Sequence, residues 1–180
     1  MIELPTYRLP AAKNVFTHVW ERVSHFIEKA GTIIFAMSVV LWFLQSFDLS
    51  FDMVQSAETS ILGRLGSFIA PVFSPMGYGC WQAAVALLTG IIAKEAVVST
   101  LAVLLGTSTA NLGAALGALF TPLSALSFLV FTLLYTPCIA AVTTIRRELG
   151  SFWRMLGVVL LQCSVAWLVG MLVYQVGGLL

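Results

Sequence analysis

The sequence predicts an all-α integral membrane protein: an amphipathic N-terminal helix followed by about three to five membrane helices, including a broken or re-entrant helix pair. Composition is the first observation. Of 180 residues, 59% are hydrophobic and 9% are charged, against roughly 25% charged in a soluble globular domain. Second, the charges are confined. Apart from Lys94 and Glu95 they fall within Met1–Lys29, Asp48–Arg64 and Arg146–Arg154, leaving the long uncharged blocks that a bilayer selects. Third, Gly90, Pro122 and Pro137 interrupt those blocks, and each Pro removes a backbone donor and loosens a helix.

Residues 1–29 read as a cytoplasmic linker and an interfacial helix. Pro5 and Pro10 punctuate the linker, and from Ala11 to Lys29 the apolar Val15, Phe16, Val19, Trp20, Val23, Phe26 and Ile27 recur at helical spacing, as in a helix lying at a membrane surface. This mixed, polar opening lacks the short apolar run of a secretory signal and reads as a chain cut out of something longer. Residues 30–180 form the membrane region. Ala30–Phe47 is uncharged and ends in Trp42, Phe43 and Phe47, as expected of a first span with an aromatic edge. Asp48–Gly79 holds a short helical pattern over Ile61–Phe73 broken by Pro71 and Pro75, and is predicted to be a surface or re-entrant helix. Trp81–Leu105 is long enough to span, although Lys94-Glu95 sits inside it, and Phe152–Val176 is the last clear span.

Orientation follows from Lys and Arg bias. Arg8, Lys13, Arg22 and Lys29 place the N-terminus in the cytoplasm, and Arg146, Arg147 and Arg154 require the same side. Both groups are accommodated if Leu123–Thr144 is a hairpin turning at Thr136-Pro137-Cys138; the alternative is that Trp81–Leu105 is the re-entrant element.

Several functions are disfavoured. The net charge of +1 offers no polyanion surface for nucleic acid. Cys80, Cys138 and Cys163 form no CxxC pair, and no Walker A, GxSxG, HExxH or dinucleotide loop occurs, so the chain is not expected to be an enzyme by itself and no catalytic or cofactor-binding residue is assigned. Two constellations remain. In Ala93-Lys94-Glu95-Ala96-Val97-Val98-Ser99-Thr100, Glu95 and Ser99 lie one turn apart and share a helix face, so a cation can meet a carboxylate and a hydroxyl there. Lys94 points roughly 100° away and can neutralise a carboxylate elsewhere; alternatively the pair snorkels and anchors the span. In Tyr135-Thr136-Pro137-Cys138 a broken helix frees backbone groups that must line a cavity or find partners. Cys138 is a soft ligand suited to a transition metal, with capture dependent on pH, or else a small apolar side chain in helix packing. Cys80 and Cys163 are expected to pack, and His18 and His25 to be interfacial.

At these same residues the chain resembles the C-terminal part of ferrous iron transport protein B, from its second Gate domain onward. The resemblance rests on Glu3-Leu4-Pro5, Tyr7-Arg8-Leu9-Pro10, Val19-Trp20-Glu21-Arg22, Lys29-Ala30-Gly31-Thr32, Ala93-Lys94-Glu95-Ala96-Val97-Val98-Ser99-Thr100 and Leu134-Tyr135-Thr136-Pro137-Cys138. It implies a bacterial inner-membrane permease in which Fe²⁺ is the transported substrate and no cofactor is stably bound. Cys138 and Glu95 are then transport-path candidates, supported by Lys94, Ser99, Tyr135, Thr136 and Pro137. The implied partners are the lipid bilayer, a GTP-binding and first Gate portion that this chain does not contain or other transporter subunits, and possible further copies of the chain. A non-transporting membrane interaction module and a carrier of a small organic solute are the alternatives.

Overall fold

The computed structural model describes residues 12–54, 56–108, 110–135 and 138–179. Among them the chain is helical, with one isolated bridge between Phe47 and Met53. The helices are α1 (Ala12–Ser46), α2 (Ile61–Ile69) with a 3₁₀ extension (Ala70–Met76), α3 (Trp81–Gly90), α4 (Ala96–Leu104), α5 (Leu112–Leu116), α6 (Pro122–Leu134), α7 (Ile139–Leu149) and α8 (Phe152–Gly177). The linker before Ala12 lies outside the described residues.

Among the described residues two helices, α1 and α8, are long and apolar enough to cross a membrane, and the bent pair α6–α7 adds a third if it forms one span. The predicted interfacial helix and first span form one uninterrupted α1 of 35 residues. At about 1.5 Å per residue it measures roughly 52 Å, longer than the roughly 30 Å hydrocarbon layer, so only part of it can be immersed. Two of its hydroxyls bond back into the helix, Thr17 donating to Lys13 O and Ser38 to Ile34 O at 2.9 and 2.8 Å, which satisfies them away from water. Phe35, Trp42 and Val39 on α1 and Trp153, Leu161 and Leu172 on α8 are exposed, as lipid-facing side chains are.

Two sequence expectations are corrected. Trp81–Leu105 is not a single span: it breaks after Gly90, and α4 folds back along α3. Thr89 and Thr100 meet hydroxyl to hydroxyl at 3.0 Å, and Val85 lines one cavity with Val103 and Leu104. One continuous helix would hold Thr89 and Thr100 about 16 Å apart. Conversely, Leu123–Thr144 is not a hairpin. The α6 and α7 axes turn by 40° at their break, a kink and not a reversal. The reason is the charged pair: a straight helix would carry Lys94 and Glu95 through the hydrocarbon side by side, whereas a turn at this point places Lys94 on the carbonyls of another helix.

The core lies between α6, α8 and the α2–α3 region. α6 and α8 run antiparallel, fixed where Ser127 donates to Gly170 O at 2.8 Å and Gln162 to Leu134 O at 3.4 Å. Phe73, Tyr78, Phe120, Phe128 and Phe131 form a buried aromatic cluster, with Phe73 and Phe131 edge to face at 5.3 Å. The Ile61–Met76 segment packs one face into the protein, with Leu62, Phe73 and Met76 buried. Gly66 makes its close approach possible: a Cβ there would meet Val85 and the Trp81 carbonyl. Trp167 donates to Val72 O at 2.9 Å and Gln175 to Pro75 O at 3.2 Å, which seals this segment against α8. Polar ends are capped by Ser60, accepting from Gly63 N at 3.0 Å, and by Thr121, accepting from Ser124 N at 3.2 Å.

The hairpin makes a topological prediction. With the native cysteines replaced, Asp52→Cys and Ser108→Cys are expected to react with an impermeant maleimide from one side of the membrane, and Glu148→Cys from the other. Labelling of positions 52 and 108 from opposite sides would mean that α3–α4 crosses.

Candidate functional site

The site is the place where two interrupted helices meet. α3 ends at Gly90 and α4 begins at Ala96, while α6 ends at Leu134 and α7 begins at Ile139. Ending a helix orphans its last carbonyls, and beginning one orphans its first amides. In hydrocarbon each orphan costs several kcal/mol. Here the two interruptions satisfy one another: Ile139 N donates to Ile91 O at 2.9 Å, and Tyr135 Oη donates to Leu87 O at 3.2 Å.

Lys94 supplies the remaining donors. Its ammonium donates to Leu133 O at 3.1 Å and to Tyr135 O at 3.4 Å and stands 5.1 Å from the centre of the Tyr135 ring. The carbonyl between these two, Leu134 O, accepts from Gln162 of α8. Three successive carbonyls at the C-terminal end of α6 are thus each held by a side chain from another part of the fold, two by Lys94 of the α3–α4 turn and one by Gln162 of α8. That end carries the negative pole of the helix dipole, where a cation is favoured. Gln162 lies close to the middle of α8, so the junction sits level with the middle of that helix.

Gly90 lets the parts close. A Cβ at this position would meet Tyr135 Oη and Val97 Cγ2, so the phenol reaches the α3 carbonyl only because residue 90 has no side chain. An apolar cavity of about 220 Å³ beside the junction is lined by Leu88, Ile91, Phe131, Tyr135, Cys163 and Trp167, among others. Cys163, expected from sequence only to pack, therefore borders the junction.

The structure joins some of the predicted residues and not others. Lys94 and Tyr135 are in direct contact, and Lys94 donates to backbone carbonyls and not to a carboxylate. Cys138 is half-buried at the N-cap position of α7, one residue from the backbone bond between the two breaks. Glu95, at the N-cap position of α4, is exposed, and among the described residues no hydrogen bond or ion pair joins it to Lys94, Ser99 or Cys138. Ser99 lines a separate cavity of about 330 Å³ with Gln45, Ser60 and Thr100. Thr136 and Pro137 lie outside the described residues. Cys80, Cys138 and Cys163 are all thiols, and His18 and His25 sit exposed on α1, His18 beside Glu21 at 3.7 Å. Among the described residues no group of three His, Cys, Asp or Glu side chains converges to hold a metal ion. Sequence reading marked Gly90 as an interruption but gave no role to it or to Gln162; a lone amide inside an apolar span and a glycine four residues before the Lys94-Glu95 pair were the available signals.

Comparison with known proteins places this junction in a family. A family model described as nucleoside recognition, Gate, matches residues 27–152, which contain both helix breaks. The chain belongs to the Gate family. A second model, the C terminus of ferrous iron transport protein B, matches residues 1–22. The Gate chain is 39% identical over 180 residues to the Fe(2+) transporter FeoB of Staphylococcus aureus (strain MSSA476), a match covering 99% of this chain and 27% of that protein. It is 38% identical over 187 residues to the Fe(2+) transporter FeoB of Methanocaldococcus jannaschii, covering 100% of this chain and 28% of that protein. The match to the Fe(2+) transport protein A/Fe(2+) transporter FeoB fusion protein of Porphyromonas gingivalis is 30% identical and covers 98% and 26%. The Gate chain therefore spans little more than a quarter of the relatives it matches, corresponding to their C-terminal part. No solved structure matches it.

The junction predicts an order of costs. Tyr135→Phe, which removes one hydrogen bond, is expected to cost about 0.5–1.5 kcal/mol, and Gly90→Val, which forces the two hairpin arms and Tyr135 apart, about 1–3 kcal/mol. Denaturing-detergent titration of the protein in mixed micelles measures both. Equal, negligible effects would mean that the breaks do not touch.

Proposed function

We propose that this Gate chain forms part of an Fe²⁺ pathway across the bacterial inner membrane, with the two helix breaks as its narrowest polar station. The observation that carries the reading is the pair of interruptions meeting near the middle of α8, where backbone carbonyls and an ammonium meet within an apolar fold and Cys138 begins the next helix. Non-helical backbone at that depth is tolerated where it lines a path or cavity. The identity of the cation comes from the relatives, whose printed names are Fe(2+) transporters.

In this reading Cys138 at the start of α7 is the soft ligand that favours a transition metal over Mg²⁺ or Ca²⁺. Glu95, exposed at the edge of the facing break, is the hard ligand. A carboxylate at such a depth is costly against lipid, and it is therefore covered by a further element: the GTP-binding and first Gate portion, which the longer relatives have room for, or another transporter subunit. The few converging side chains suit a cargo that must leave again, since conduction needs binding weak enough for release.

Topology supports the same reading. α1 crosses once, α3–α4 returns to the side from which it entered, and α6–α7 crosses back. Lys13, Arg22 and Lys29 then share one side with Arg146, Arg147 and Arg154, which the positive-inside rule assigns to the cytoplasm. The N-terminus is cytoplasmic in this arrangement. The description of the family model as nucleoside recognition favours a second reading, a carrier of a small organic solute.

The experiment is Fe²⁺ uptake in cells lacking other iron importers, expressing the chain together with a GTP-binding and first Gate portion from a relative. Uptake is expected in the pair and a loss of tenfold or more is expected in Cys138→Ser, a size typical of weakened metal ligation. Uptake unchanged by Cys138→Ser would remove the thiol from the path. Nucleoside uptake without Fe²⁺ uptake would favour the solute carrier, and no uptake of either by inserted protein would favour a membrane interaction module.

A further inference from the structure

We propose that the Lys94 ammonium is a tethered stand-in for the cargo: it occupies a cation site made by the C-terminal carbonyls of α6, and a cation passing this level takes its place. The geometry is that of a bound cation. The ammonium takes two carbonyl oxygens, Leu133 O and Tyr135 O, at 3.1 and 3.4 Å, and the face of the Tyr135 ring at 5.1 Å. Such oxygens at the end of an interrupted helix, on the negative side of its dipole, are the donors by which discontinuous membrane helices hold small cations.

The site is held in place without Lys94. Leu134 O is fixed by Gln162, the Tyr135 ring by its bond to Leu87 O, and α7 by the bond from Ile139 N to Ile91 O. Lys94 itself stands in the turn between α3 and α4, on a flexible stem that lines an apolar cavity of about 200 Å³ with Val97, Leu101, Phe128 and Thr132. A site whose walls are set by other residues and whose occupant arrives on a flexible arm can exchange that occupant. No carboxylate pairs with Lys94 among the described residues, so its departure leaves no anion stranded; the carbonyls alone need a new cation. An internal competitor also keeps an arriving cation from binding too tightly to leave. For the identity of the cargo the inference rests on the transport reading, but the exchange site itself does not.

The test is thermal melting of the full chain in nanodiscs against added Mn²⁺, with Na⁺ as the monovalent comparison, for the wild type, Lys94→Met and Lys94→Arg. Lys94→Met is expected to melt lower than wild type without added cation and to recover, saturably, by roughly 5–10 °C at a hundredfold excess over the dissociation constant. Wild type and Lys94→Arg, both already occupied, are expected to shift little. If Lys94→Met does not accumulate in the membrane, Lys94→Gln, which keeps one donor and no charge, is measured in the same way. A Lys94→Met or Lys94→Gln protein that stays destabilised at every cation concentration would reduce Lys94 to a helix cap and overturn the proposal, as would equal shifts in all variants. Recovery by cation in a protein that moves no Fe²⁺ would keep the site and remove the transport reading; Fe²⁺ uptake with no recovery would do the reverse.

Discussion

Backbone hydrogen bonding inside hydrocarbon is the constraint on which the rest of this structure depends. Water is unavailable there, and every amide and carbonyl released by a helix break must find a partner in the protein. The chain contains two such breaks and pairs them. Ile91 and Ile139 share a backbone bond, Leu87 receives the Tyr135 phenol, and the end of α6 receives Lys94 and Gln162. Neither break is stable alone at that depth, because each provides the other's donors. The reversal at Ile91–Glu95 and the 40° kink after Leu134 are in this sense one feature.

That pairing has an electrostatic consequence. α6 presents the negative end of its dipole to the junction and α7 its positive end, so a cation is favoured on one side of the kink and a thiol or other electron-rich group on the other. Lys94 and Cys138 occupy those two sides. The packing of α6 on α8 and the buried aromatic cluster around Phe73, Phe128 and Phe131 hold the half-helices in this arrangement. Gly66 and Gly90 matter because Val85 and the Trp81 carbonyl at the first, and the Tyr135 phenol and Val97 at the second, leave no room for a methyl group.

Much of this was legible in the sequence. The helical membrane class followed from uncharged blocks, the ends of α1 and α8 from hydropathy, and the break at Tyr135 to Cys138 from a proline within an apolar run. The identity of the re-entrant element was not. Trp81–Leu105 has the length and composition of a span, and its one irregularity, Lys94-Glu95, is compatible with anchoring as well as with turning. What decides is tertiary: Thr89 meeting Thr100 and Lys94 meeting Leu133 are contacts between segments that hydropathy treats separately. The partners of Lys94 were not legible for the same reason, since a search for opposite charges overlooks backbone carbonyls as partners. Gln162 passed as an incidental polar residue although an amide within a span implies a partner.

The contact between the two breaks is the claim from which the others follow, and disulfide trapping tests it directly. Ile91→Cys and Ile139→Cys, combined in a background with the native cysteines replaced, place thiols on two residues whose backbones are directly hydrogen-bonded, Ile139 N to Ile91 O at 2.9 Å, a contact that brings their Cα atoms within roughly the 4.4–6.8 Å that a disulfide bridges. Mild oxidation of this pair in native membranes is expected to cross-link it rapidly, and far faster than a control pair at positions 104 and 139. Failure of the 91–139 pair to cross-link in folded protein, or equal rates for both pairs, would contradict the account.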